Sequence, residues 1–145
     1  MLTITNEQLA HLDQDARRRV LETVAEALRE DFPAETGELD DDDLMTVVAI
    51  AADTAATLGI NSEDAVFAYV AFSVCFGMDF HEDDVVDTLL FAADLPPDRA
   101  MLEVPFCLTP NDLQRIEAST RKPAMFLRYL REQTEVLTRD IPDES

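Results

Sequence analysis

The chain has 145 residues and carries 31 Asp and Glu against 11 Lys and Arg, a formal net charge of −20. Its 47% apolar content, with periodic Leu, Val and Phe, excludes a disordered acidic tail, and its length predicts one domain with its own core. Three glycines and few β-branched clusters point to an all-α bundle of five to seven helices over residues 1–145.

Thr5 caps a first helix, Gln8 three residues later completes a capping box, and Ile4 staples onto Leu9. Leu9, Leu12, Ala16, Val20, Val24, Leu28 and Phe32 then recur at three- and four-residue steps, one apolar stripe ending before Pro33. Asp13 and Asp15 are the points where this helix would break early. Residues 33 to 40 read as an acidic loop. Asp40, Asp41, Asp42 and Asp43 open a second helix, where carboxylates cap free N–H groups and meet the positive end of the dipole. Leu44, Val47, Val48, Ala51, Ala55 and Leu58 form its buried side, its alanines allow close approach of a neighbour, and Gly59 stops it.

Asn61 or Ser62 caps a third helix that runs to about Gly77. It is apolar almost all round, the pattern of a central, enclosed element. Residues 82 to 93 form a fourth helix with Val85, Val86, Leu89 and Leu90 inward. Pro96-Pro97 starts a short helix reaching about Val104, which Pro105 ends. Thr109 caps the next, with Pro110 in its first turn. The last begins near Pro123, with Met125, Phe126, Tyr129, Leu130, Val136 and Leu137 as its apolar positions and a frayed tail from Ile141.

The charge is unevenly placed. Between Arg29 and Arg99 there is no lysine or arginine and there are eighteen acidic residues. Holding so much like charge compact is costly, which points to a basic partner, a high-salt setting or a demand for solubility. Residues 113–139 are instead mildly basic, with Arg115, Arg121, Lys122, Arg128, Arg131 and Arg139 against Glu117, Glu132 and Glu135. A halophilic source would account for the arginine preference and the overall acidity, but not for the concentration within residues 30–98.

Two acidic clusters stand out, Asp40–Asp43 and Asp79, Glu82, Asp83, Asp84 and Asp87. Neither has calcium-loop spacing, since the first is consecutive and Leu44 follows at once. His81 beside crowded acids is a weak metal signal. Both read as solvated helix starts, and both are where a basic protein partner would bind. The Arg121, Lys122, Arg128 and Arg131 face reads as a local salt-bridge surface. The overall field disfavours direct binding to nucleic acid, although a run of carboxylates can imitate phosphate spacing in a nuclease cleft. His11 has no catalytic companion. Cys75 reads as a buried inert thiol, and a disulfide to Cys107 is compatible with the sequence but not required by it. With no nucleophile, phosphate-loop or metalloprotease motif, the expectation is a non-enzyme without metal or cofactor. The absence of a signal-peptide pattern and of a long apolar run predicts a cytoplasmic protein that does not enter a membrane.

A series of short motifs carries a resemblance. They are Ile4-Thr5-x-Glu7-Gln8-Leu9 followed by an arginine pair, Leu28-Arg29-Glu30-x-Phe32-Pro33, and Leu58-Gly59-Ile60-x-Ser62-Glu63. Tyr69-Val70, Phe76-Gly77-x-Asp79-Phe80 and Ala93-Asp94-Leu95-Pro96-Pro97-Asp98-Arg99 follow. In this order, over roughly residues 4–102, the chain resembles small helical proteins encoded beside type VI secretion and polymorphic-toxin genes in Gram-negative bacteria. It departs from them in its stronger acidity and in the extension from residue 105. The resemblance implies association with a secreted effector, as its immunity protein or as a chaperone or adaptor that loads it. A free-standing acidic mimic that inhibits a basic nuclease is the alternative from a different class.

Overall fold

The computed structural model describes residues 14–91 and 94–140. Among them are eight α-helices and one 3-10 turn, with no strand. The helices are α1 (Gln14–Asp31), α2 (Pro33–Thr36), α3 (Asp41–Thr57) and α4 (Glu63–Phe76). After the 3-10 turn Phe80–Glu82 come α5 (Asp84–Phe91), α6 (Pro97–Cys107), α7 (Pro110–Ser119) and α8 (Pro123–Asp140). The all-α bundle expected from the sequence is the fold. The capping box at Thr5, the positions Leu9 and Leu12, His11 and the tail from Ile141 lie outside the described residues, as do the side chains of Val136 and Leu137.

The best-marked boundaries fall where local chemistry puts them. The Asp40 side chain accepts the Asp43 N–H at 2.7 Å, and Ser62 accepts that of Ala65 at 3.3 Å. Gly59 and Gly77 end α3 and α4 with φ of 82° and 145°, where a side chain is disfavoured. Thr109 and Asp112 form a reciprocal capping box at α7, with Pro110 just inside it.

α4 is the central element, in contact with α2, α3, α6, α7 and the 3-10 turn. Ala65, Val66 and all residues from Tyr69 to Val74 are buried in it. Ala51, Ala52 and Ala55 on α3 give it a low, close-fitting neighbour surface. Phe80 closes the other side, fully buried, with its ring 4.8 Å from Tyr69 and 4.5 Å from Phe72. Burial of such rings removes a large apolar area from water and is the main term holding this turn down. The buried polar groups Thr36 and Ser73 donate to the carbonyls of Phe32 and Tyr69 at 2.9 Å each, so neither is left unsatisfied.

Five expectations are corrected. The segment after Pro33 is not a plain loop: α2 forms one helical turn, Leu39 is buried, and Arg29 donates to the carbonyls of Thr36 and Leu39. The fourth helix starts at Asp84, because Phe80–Glu82 is a separate 3-10 turn and Asp83 serves as the cap. Val85 faces solvent rather than the core, which takes Val86 and Leu90. Pro105 does not end its helix; it sits in the last turn of α6, where only one backbone bond is forfeited. On α8 the inward residues are Pro123 and Leu127, with Phe126 and Leu130 half-buried, while Met125 is 67% exposed.

Candidate functional site

Of the two acidic clusters, the first is largely committed within the chain. Asp40 caps α3, Asp41 takes Arg29 at 3.0 Å, and Asp43 takes Arg131 of α8 at 2.7 Å. Asp42 remains exposed and has no ion pair with a described residue. The run is therefore one turn of capped helix, stitched to α1 on one side and to the basic C-terminal helix on the other.

The second cluster divides differently. Asp83 is the anchor. Its carboxylate caps α5 through the N–H groups of Val85 and Val86 at 3.1 and 3.3 Å. It also receives the Arg115 guanidinium through two bonds of 2.9 Å. The Arg115 bonds, with the two backbone N–H groups, hold the Asp83 carboxyl below the usual carboxylate range although burial opposes this. Arg115 is held in turn by Asp112 at 2.8 Å and is kept charged by both partners. Asp79 lies 3.9 Å from Arg121, at the outer limit of an ion pair. Asp79, Glu82 and Asp83 line an open cleft of about 360 Å³ with Ser119, Thr120 and Arg121.

Glu82, Asp84 and Asp87 have no ion pair with a described residue, and all three are exposed. His81, just before them in the chain, has its Nδ1 hydrogen-bonded to the buried Tyr69 hydroxyl at 2.9 Å. Burial, with Asp79 and Glu82 nearby, pushes the Tyr69 pKa far above its ordinary value, so the phenol stays protonated. That bond seats the 3-10 turn on the central helix.

The helix pair that follows these acids also exposes apolar side chains. Val85 and Phe91 of α5, Leu95 of the connection, and Leu102 and Phe106 of α6 are all exposed, Phe106 by 86%. Helices α5 and α6 pack as neighbours, so the five belong to one hairpin. The sequence pattern does not announce this apolar component, since it turns Val85 inward and leaves Phe106 beyond the helix end at Pro105. Its signal was the Leu102–Phe106 spacing, which becomes legible once Pro105 is allowed inside the helix.

Among the basic C-terminal residues Arg115 and Arg131 reach distant acids, while three others also have near partners. Lys122 binds Glu117 at 2.7 Å, Arg128 faces Glu132 at 3.4 Å, and Arg121 lies 3.9 Å over the Tyr129 ring. Asp98 has a role the motif reading did not assign: it accepts the N–H groups of Asn61 and Ser62 at 2.5 and 3.1 Å, tying α6 to the start of α4. Cys75 and Cys107 are free, and burial pushes the Cys75 thiol up to about 11, which keeps it protonated and unreactive. Among the described residues no three of His, Cys, Asp and Glu converge on a cation position, and no helix is long and apolar enough to cross a membrane. Compared with protein-family models, curated proteins and solved structures, the chain matches none.

Proposed function

We propose that this protein is a non-enzymatic, acidic protein-binding module that acts in the cytoplasm as the immunity protein of a secreted toxin with a basic surface. The observation that carries the binding reading is the pairing on one hairpin of free carboxylates with exposed apolar side chains. Glu82, Asp84 and Asp87, which hold no ion pair with a described residue, lie on or directly before the same helix pair that exposes Val85, Phe91, Leu102 and Phe106. Stable interfaces combine an apolar centre with a polar rim, and complementary charge speeds encounter and selects the partner. A solvated acidic face would have no need of the phenylalanines. The choice of a toxin as partner comes from the motif resemblance, and the short helix-start acids supply the field that would attract it.

A second reading has its own observation. Phe106 and Leu102 form an exposed apolar edge on α6 that would suit a chaperone or adaptor covering an apolar segment of an effector before loading. Both readings are tested together. The tagged chain is used to capture the products of neighbouring genes at low salt, and the captured protein is then co-expressed with and without it. Rescue of growth with unchanged secretion supports immunity. Loss of secretion or effector instability on deletion supports the adaptor role, and failure to capture any neighbour at low salt removes both.

A further inference from the structure

A second surface lies between α1 and α4. Both helices are linked through the core they share with α3, and the space left between them on the outside is a groove of about 260 Å³. Its floor is built from Val24 and Ala27 of α1 and Phe67 of α4. Its rim carries Asp31, at the end of α1, and Glu63 and Asp64, in the first turn of α4. None of these three carboxylates has an ion pair with a described residue. The other described cavities each hold a cation of the chain itself: Lys122 in one, Arg18 and Arg29 in another, Arg121 in the third. The α1–α4 groove is the one among them that joins an apolar floor to acids holding no ion pair with a described residue.

That combination is complementary to one kind of side chain. Arginine and lysine carry an aliphatic stem that buries on apolar surface and a charged head that stays at the water boundary. Arginine fits better, because its planar guanidinium stacks on an aromatic ring and spans two carboxylates at once, which an ammonium does not. We propose that the α1–α4 groove is a specificity pocket that receives a single arginine side chain of a basic protein partner. The identity of that occupant rests on the protein-binding reading above, while the chemistry of the pocket stands on the groove itself. An arginine seated in a desolvated slot is a typical energetic anchor of an interface, whereas acids spread over an open face mainly steer encounter.

The test uses the full chain, isotopically labelled, titrated at low salt with the tripeptide acetyl-Gly-Arg-Gly-amide and followed by NMR. Saturable shifts centred on Val24, Ala27 and Phe67 are expected, with a dissociation constant on the order of 1 mM, the scale of one good anchor. The same peptide with citrulline, which keeps the shape and removes the charge, should bind at least about tenfold more weakly. Lysine should fall between the two. The double variant D31N/D64N should lower arginine affinity on the order of tenfold, and Ala27→Met, which fills the floor, should abolish the local shifts while circular dichroism stays unchanged.

Equal binding of citrulline and arginine would overturn the proposal, as would linear, unsaturated shifts spread over all the acidic surfaces. Capture of a toxin by a chain that fails this titration would sink the pocket and leave the protein-binding reading intact. Arginine binding in the groove without any captured partner would do the reverse.

Discussion

Thr120 stands directly on Gly77. The Thr120 hydroxyl donates to the Phe76 carbonyl at 2.8 Å, and the next residue's carbonyl, that of Arg121, accepts the Met78 N–H at 2.8 Å. The joint between α7 and α8 is therefore laid along the C-terminal end of the central helix, with no room for a side chain at position 77. This contact fixes the cleft formed by Asp79, Glu82, Asp83 and Arg121, because the acids leave the chain within a few residues of it.

Gly77→Ala should accordingly be severe. A Cβ there would overlap the Thr120 hydroxyl, and the φ of 145° is one that L residues rarely adopt. Overpacking and backbone strain together suggest a loss of roughly 2–4 kcal/mol, measurable by urea denaturation. Thr120→Gly in the same background should recover only part of it, since losing both the hydroxyl and the Cβ relieves the clash while the φ penalty stays. Full recovery would show that sterics alone set the requirement for glycine.

The Asp83–Arg115 pair predicts a specific acid limb. The folded pKa of Asp83 is depressed, so its stabilising contribution is fully present above the ordinary unfolded value near 4. It is lost as pH falls through the lower folded value. Stability should therefore hold above about pH 4 as far as this pair is concerned and drop below it. Asp83→Asn keeps a capping oxygen but loses the charged pair, and should cost about 1 kcal/mol at pH 7, the Arg115 side being 45% exposed. Its stability curve should converge on the wild-type curve below pH 4. Parallel curves at all pH would show that the ionised state of Asp83 contributes nothing. Asp112, held low by the Thr109 N–H and Arg115, keeps some acid sensitivity in the variant.

Where the chain marks its own boundaries, the fold was legible. Asp40, Gly59, Ser62, Gly77 and Thr109 are residues whose preferred backbone states or side-chain bonds act within four positions, and all five do what their local chemistry dictates. The apolar run of α4 likewise announced the central helix. What was not legible depends on distance along the chain. Arg131 and Asp43 are 88 residues apart, and Arg115 and Asp83 are 32 apart. No local pattern told which acids would be neutralised, so the two clusters looked equivalent. Pro105 misled for a related reason: a proline breaks a helix interior, but near a helix end on the solvent side the missing N–H is affordable, and this moved Phe106 onto a regular surface.

Salt should separate the two explanations of the acidity. If repulsion among exposed carboxylates is the only cost, screening suffices, and the melting temperature should climb between about 0.01 and 0.5 M NaCl and then level off. The internal pairs at Asp41, Asp43 and Asp83 already remove part of that repulsion, so a folded protein is expected in dilute buffer. Unfolding below about 1 M salt, with continued gain into the molar range, would favour a halophilic origin of the charge instead.

The partner surface gives the sharpest contrast. Because Asp40, Asp41 and Asp43 are held by the α3 backbone, Arg29 and Arg131, neutralising that run should loosen the chain more than it weakens a complex. The triple variant E82Q/D84N/D87N removes charges that hold no described ion pair, so it should leave the melting temperature unchanged or raise it. Against a basic partner the same variant should slow association on the order of tenfold at low salt and flatten the salt dependence of the on-rate. Phe106→Asp should instead act on dissociation, because an apolar contact made after encounter holds the complex rather than steering it. Surface plasmon resonance at two salt concentrations distinguishes these effects. An unchanged on-rate in the triple variant, with an unchanged off-rate in Phe106→Asp, would remove the α5–α6 hairpin from the interface.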